Sequence, residues 1–313
     1  MSRRHDCPPL VQVQDGEGRL LPFYRGWHRR YLESCGLTPE QAAGVAARIH
    51  RHLLHRGQTQ VDVEHLECLT YRYLRRDQGE RVAGRYRLWM GFLHSSRPLL
   101  VLIGGMPGSG KSAIATELAS LLDITRVQST DMLREVMRMM VPERLLPALH
   151  TSSFKAWQSW PETGEARDFR GRLIDGYRAQ AEPVMVSCEA VLGRALGERV
   201  SMIVEGVHVM PSLAGRLPLK TDAVVVPLVL EVADRDTLAQ RFRGRSEAAP
   251  QRRAQRYLEH LEAIWALQSH LLEEARRLGV AVVENDNQDR ALREILEIIS
   301  RTLEGAAEYP LPR

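Results

Sequence analysis

A chain of 313 residues is long enough for about two domains, and a hydrophobic content of 44% is ordinary for a protein with a real core. The formal net charge is +4, with both signs mixed along the chain, which suits a small anionic ligand and gives no case for nucleic acid. No stretch reaches the length of a membrane span and no N-terminal signal pattern is present. Cys7, Cys35, Cys68 and Cys188 lack CxxC spacing, so reduced thiols and a cytoplasmic location are expected, with no disulfide framework, zinc site or membrane contact.

Residues 1–10 are polar and proline-marked and read as loose. Residues 11–94 read as a small, mostly helical unit. Leu10-Val11-Gln12-Val13-Gln14 alternates, Asp15-Gly16 signals a turn, and Arg19 to Phe23 returns as a hairpin strand. The arginine run at 25–30 and the pair Arg75-Arg76 read as solvated helix faces. Thr38-Pro39-Glu40-Gln41 starts a helix, with Thr38 as its cap and Pro39 in its first turn. Ala42, Val45, Ile49, Leu53 and Leu54 share one face of it, and Gly57 stops it. Further helices are expected over 63–73 and 80–93. Ser95-Ser96-Arg97-Pro98 marks a boundary, which divides the chain into domains 1–97 and 98–313.

Beyond the boundary strands and helices alternate, the pattern of a parallel α/β sheet with helices on both faces. Strands are expected at 99–103, 125–128, 201–204, 224–231 and 280–283. Helices are expected at 111–121, 132–140, 167–196, 237–243, 254–278 and 290–303.

The first of these strands runs into Gly105-Met106-Pro107-Gly108-Ser109-Gly110-Lys111-Ser112, with Ala113 continuing into the helix. The glycines let the backbone curl until several N–H groups point at one anion, and the helix adds its positive end. Lys111 would reach terminal phosphates and the Ser112 hydroxyl would hold Mg²⁺. Lysine occurs three times in the chain, as Lys111, Lys155 and Lys220, and a compact ammonium fits between phosphates where a guanidinium would clash.

Ligands of an open parallel sheet sit beyond the carboxyl ends of its strands. Ser129-Thr130-Asp131, Glu205-Gly206-Val207-His208 and Glu284-Asn285-Asp286-Asn287 occupy such positions. Glu205 ends an apolar strand and is a candidate for Mg²⁺ or for orienting an attacking hydroxyl; capping is its plainer role. Asp131 is a candidate proton acceptor or Mg²⁺ group, or a cap for the helix expected at Met132. An arginine-dense stretch over 234–256 could close over a transferring phosphoryl group, and Arg241 and Arg245 are its best candidates. His150-Thr151-Ser152-Ser153-Phe154-Lys155-Ala156-Trp157 could grip a carboxylate and a phosphate, or form a helix cap with Trp157 in the core. There is no Asn-Lys-x-Asp signature and no protein-kinase glycine loop, which argues against a GTPase switch and a protein kinase.

Four ordered segments resemble the 2-phosphoglycerate kinase family: Ile103 to Ser112, Gln128 to Arg138, Leu145 to Ser153, and Ile203 to His208. The resemblance spans most of 99–300. It implies a P-loop kinase fold and transfer of the γ-phosphoryl of ATP to the hydroxyl of 2-phosphoglycerate, with ATP and Mg²⁺ required. It also implies that Arg134, His150, Thr151, Ser152, Ser153 and Lys155, with Asp131, contact the acid. The N-terminal unit resembles an ATP-cone. Gln12-Val13-Gln14 stands before Asp15-Gly16 where a cone carries basic residues, so nucleotide binding and a structural or assembly role both stay open. The expected catalytic set is Lys111, Asp131, Glu205, Arg241 and Arg245, with Ser112 and Glu205 on the metal. The rival functions are a P-loop kinase of another small acceptor, such as a nucleotide or a sugar acid, and an ATP-sensing regulator without catalysis. The sequence leaves homo-oligomer formation open.

Overall fold

The computed structural model describes residues 11–159, 168–218, 222–248 and 251–306; the side chains of Trp27 and of residues 245–248 and 251–254 lie outside that description. The chain divides into two compact units, Met1–Ser96 with Leu303–Arg313, and Arg97–Thr302. The expected domains, 1–97 and 98–313, differ from these in keeping the C-terminal end with the second unit.

The first unit opens with a hairpin. Strand β1 (Gln12–Gln14) pairs antiparallel with β2 (Leu20–Pro22). Asp15 closes the turn by accepting from the backbone N–H groups of Glu17 and Arg19. Helices α1 (Arg25–Ser34) and α2 (Pro39–His55) follow. At the head of α2, Thr38 accepts from the Gln41 N–H while the Gln41 side chain accepts from the Thr38 N–H. This reciprocal pair satisfies two donors that the first turn would otherwise leave open. A third strand, β3 (Gln60–Asp62), lies parallel to β1, so the unit holds a small mixed sheet as well as its helices. Asp62 then caps α3 (Val63–Gln78) through the His65 N–H, and α4 (Glu80–His94) completes the unit. Ala42, Val45, Ile49 and Leu53 of α2 are buried, as are Leu74 of α3 and Trp89 of α4.

The second unit is built on a five-stranded sheet. Its strands are β4 (Leu99–Gly104), β5 (Val127–Ser129), β6 (Met202–Glu205), β7 (Val224–Glu231) and β8 (Ala281–Glu284). Every pairing is parallel and the order is β5-β6-β4-β7-β8. Strand β4 is therefore central, and the chain leaves it first to one side and later to the other. That reversal opens a crevice beyond the carboxyl ends. All residues of β4 are buried, as a strand covered on both faces requires.

The helices of this part of the chain are α5 (Lys111–Leu121), α6 (Thr130–Met140), α7 (Phe169–Glu198), α8 (Arg235–Ala248), α9 (Gln251–Glu259), α10 (Leu261–Leu278) and α11 (Gln288–Gly305). His260, at φ −115° and ψ 20°, stands between α9 and α10; it splits the single helix expected over 254–278 in two. The helix expected at Met132 starts two residues earlier. Ser129 is its N-cap and accepts from the Asp131 N–H. Asp131 consequently does not cap α6; it sits in the first turn, where the helix dipole favours a carboxylate. No helix among the described residues is long and apolar enough to cross a membrane.

Candidate active site

The loop between β4 and α5 is built around two demands on the backbone. Gly108 has φ +90°, and a Cβ there would sit 2.5 Å from Leu238 Cδ1 and 2.9 Å from Phe242 Cε1. Only glycine meets both the torsion and the close approach of α8. Gly206, after β6, has φ +153°, and a Cβ on it would collide with the Thr130 hydroxyl. The strand ends thus crowd together by omission of side chains.

Lys111 is buried and folds back over the loop, donating to the Met106 carbonyl at 3.0 Å and approaching Ser109 Oγ at 3.5 Å. Ser112 donates to Glu205 Oε1 at 3.2 Å. Glu205 is itself buried, so the end of β6 and the start of α5 present one hydroxyl and one carboxylate side by side. Both are hard oxygen donors, the type Mg²⁺ prefers.

The loop is clamped from the far side. Asn285, just after β8, is buried and donates from Nδ2 to the Ser109 carbonyl at 2.8 Å. Arg241 of α8 donates to the Gly108 carbonyl at 3.1 Å and also to the Asn285 carbonyl. Arg241 is thereby anchored on loop carbonyls. Arg245 lies one turn further along α8, and its side chain falls outside the described residues.

A cleft of about 310 Å³ lies next to the loop, lined on one wall by Pro107 and Val207 and on the others by Asp131, Arg134, Arg138, Arg256 and the segment His150–Phe154. The Nε donors of Arg134 and Arg138 are buried without a hydrogen-bond partner, and leaving such charged donors unsatisfied is costly. They are one helical turn apart on α6, so both face the same way. A terminal nitrogen of Arg134 is held by the carbonyls of Leu149 and Thr151. Arg256 of α9 donates to Ser152 Oγ and lies 5.9 Å from the centre of the Phe154 ring. His150 uses Nε2 on the Val141 carbonyl, 2.9 Å away. Lys155 is half-buried and is not part of the lining; it lies near enough to His260 that its charge, after burial, disfavours protonation there.

Beneath the cleft runs a buried polar chain. Gln180 of α7 donates from Nε2 to the carbonyls of Ala148 and Thr151. Its Oε1 therefore faces His208 Nε2 at 3.1 Å as an acceptor, which makes that nitrogen the protonated one. His208 Nδ1 is left to accept from the Thr130 hydroxyl at 3.0 Å. Burial, reinforced by the charges of Arg134 and Lys111, pushes the His208 pKa down to about 3, so the ring is neutral at physiological pH. Asp131 Oδ1 stands 4.0 Å from His208 Nδ1 and is exposed to the cleft.

The expected loop residues and Ser112, Glu205 and Lys111 thus lie together, and Asp131, Arg134 and residues 150–153 line the adjoining cleft. Sequence reasoning missed Arg138 and Gln180 as site residues; it placed Asn285 beyond a strand end and Arg256 in the arginine-dense stretch but gave neither a role. The spacing of Arg134 and Arg138 was a signal for the first of these; the others meet the site only through the tertiary fold.

Residues 101–263 match the family model described as an AAA domain. The chain is 34% identical over 298 residues to a 2-phosphoglycerate kinase of Pyrococcus furiosus, covering 94% of this chain and 95% of that protein. It is 33% identical over 294 residues to a 2-phosphoglycerate kinase of Pyrococcus horikoshii, covering 93% and 94%. It is 35% identical over 302 residues to a 2-phosphoglycerate kinase of Methanothermobacter thermautotrophicus, covering 94% and 96%.

Proposed function

The chain belongs to the 2-phosphoglycerate kinase family, and from that premise we propose that the loop and the cleft together move the γ-phosphoryl of ATP to the free hydroxyl of 2-phosphoglycerate, giving 2,3-bisphosphoglycerate and ADP. The protein is an ATP-dependent phosphotransferase with an alcohol group as acceptor. The observation that carries the acceptor assignment is the cleft with Arg134, Arg138 and Arg256 beside the phosphate loop. An acid bearing both a carboxylate and a phosphate offers oxyanions to the three guanidiniums that line the cleft, of which Arg138 also pairs with Glu135 at 2.8 Å.

In this reading the loop N–H groups and Lys111 hold the β- and γ-phosphates. Lys111 exchanges the Met106 carbonyl for phosphate oxygens when nucleotide enters. Ser112 and Glu205 would hold Mg²⁺, with phosphate oxygens and water filling the remaining positions. The bound ion would neutralise charge on the β- and γ-oxygens. Arg134, Arg138 and Arg256 hold the acid with its hydroxyl toward the loop. The hydroxyl oxygen forms a bond to the γ-phosphorus as the bond to the bridging oxygen breaks, and the pair stays on ADP. Asp131, at the cleft rim, takes the hydroxyl proton. Glu205, next to Ser112, is the metal-side carboxylate; the two acids thus take separate roles. Arg241 keeps the loop in shape through its carbonyls.

The test is ³¹P NMR of the protein with Mg²⁺, ATP and 2-phosphoglycerate. The expected result is ADP and a bisphosphorylated acid in equal amounts. ATP binding without transfer, or preferential transfer to gluconate or to a nucleoside monophosphate, would overturn the reading.

A further inference from the structure

The first unit carries a groove of its own, between the end of α2 and α3. Its volume is about 450 Å³, and His52, Arg56, His65, Arg72, Tyr73 and Arg76 are among its lining residues. Three guanidiniums and two imidazoles meet there, and no carboxylate belongs to the lining. With Asp77 as the carboxylate beside Arg76, the groove keeps an excess of positive charge, which raises the local concentration of anions.

The groups are not equally placed. Arg76 is already oriented: Nε donates to Asp77 Oδ1 at 2.8 Å, and its guanidinium lies 4.7 Å above the Tyr73 ring. Asp77 also pairs with Arg48 at 3.0 Å, so one carboxylate is shared by two arginines. Tyr73 in turn lies 3.2 Å from His52 Nδ1 through its hydroxyl, with the two rings edge to face. This wall is therefore preorganised. Arg56 and Arg72, by contrast, form no ion pair with any described residue. They are the open donors of the groove, one supplied by the end of α2 and one by the third turn of α3.

We propose that this groove is a second anion site, for a small organic molecule carrying at least two phosphate or carboxylate groups. Its lining matches the acceptor cleft in kind, three arginines and histidine around a few hundred Å³. It differs in lacking any carboxylate to take a proton and any phosphate loop among its lining residues, so it binds without chemistry. A bidentate guanidinium from each of Arg56 and Arg72 takes two oxyanions, and Arg76 closes the end. The site does not depend on the acceptor assignment, since it shares no residue with the active site.

The test uses the full chain and labelled pyrophosphate in equilibrium dialysis. A Lys111→Ala/Arg134→Ala background disables the loop and the cleft. It is expected to retain one bound pyrophosphate per chain. Adding Arg56→Ser and Arg72→Ser is expected to weaken that binding at least about tenfold, the order of losing charge-assisted hydrogen bonds. Adding Arg25→Ser and Arg30→Ser instead removes the same charge from the same unit and is expected to leave binding unchanged. A background chain that binds nothing overturns the proposal. So does equal weakening by both pairs, which means diffuse attraction only. Competition then identifies the source. Displacement by ATP, by 2-phosphoglycerate or by 2,3-bisphosphoglycerate names the ligand, and displacement by none of them overturns the assignment to an organic anion. Arg56→Ser/Arg72→Ser in the otherwise unaltered chain is expected to keep its basal transfer rate.

Discussion

Single residues decide what each part of the crevice can hold. Lys111 is buried, and its ammonium rests on two neutral oxygens of the loop, Met106 O and Ser109 Oγ; phosphate oxygens are stronger partners for it. Lys111→Ala should lower kcat/KM by the equivalent of about 3–4 kcal/mol, the scale of deleting one preorganised donor to developing charge. Steady-state rates at saturating acid check this, and near-normal turnover would remove Lys111 from the chemistry. Gln180 acts at a distance. Its amide ties the carbonyls of Ala148 and Thr151 to His208 and so to Thr130. Gln180→Leu leaves the Ala148 carbonyl and the His208 N–H unpaired, at about 1–3 kcal/mol for each buried group, and leaves the Thr151 carbonyl with Arg134 as its donor. The expected outcome is a KM for the acid raised about tenfold or more, with the KM for ATP unchanged. A matched rise in both constants would mean general loosening rather than positioning.

Whole elements bring these residues together. Helix α6 presents Asp131, Arg134 and Arg138 along one side because they sit at near-helical spacing, three and four residues apart. Helix α8 packs Leu238 and Phe242 against Gly108 while Arg241 holds the Gly108 carbonyl of the loop and the Asn285 carbonyl after β8. Arg241→Ala should therefore raise the KM for ATP and leave the KM for the acid alone; titration of both substrates decides, and the reverse pattern would place Arg241 on the acid. Much of this was legible in the chain. The run from Leu99 to Ser112 announces a buried strand, a glycine loop and a helix together, and the ends of the apolar runs single out Asp131 and Glu205. Other parts left no local trace. Gln60-Val61-Asp62 is too short to show a strand period, and its partner Gln12-Val13-Gln14 lies on the other side of α1 and α2 in the chain. Asp131 looked like a cap because Ser129 and Asp131 are both good cap residues; hydrogen bonding to Ser129 Oγ decides between them. Gln180 is one glutamine within a thirty-residue helix, and only the fold brings it under His208.

At the scale of the molecule, burial of histidine makes the fold sensitive to acid. His28 is buried against Thr70 and its pKa is pushed down to about 4; that of His208 is pushed to about 3. In the unfolded chain both protonate near 6.5. Between those limits the unfolded chain binds more protons, so stability is full above pH 6.5 and falls as pH drops, by up to about 1.4 kcal/mol per unit for each histidine. Urea unfolding at pH 7 and pH 5 should show this loss, and His28→Gln should reduce it by one histidine's share; an unchanged slope would contradict the account. The second unit itself joins a glycine loop and an arginine-lined cleft beyond the β4 carboxyl end, and the proposed function gives the triphosphate to the first and the acid to the second. The measurement that tests this division most directly is the pair of Michaelis constants for Arg134→Ala/Arg138→Ala. The account predicts a KM for 2-phosphoglycerate raised about a hundredfold, the scale of removing two charge-assisted hydrogen bonds, with the KM for ATP within about twofold of the unaltered chain. Equal effects on both substrates, or none on the acid, would contradict it.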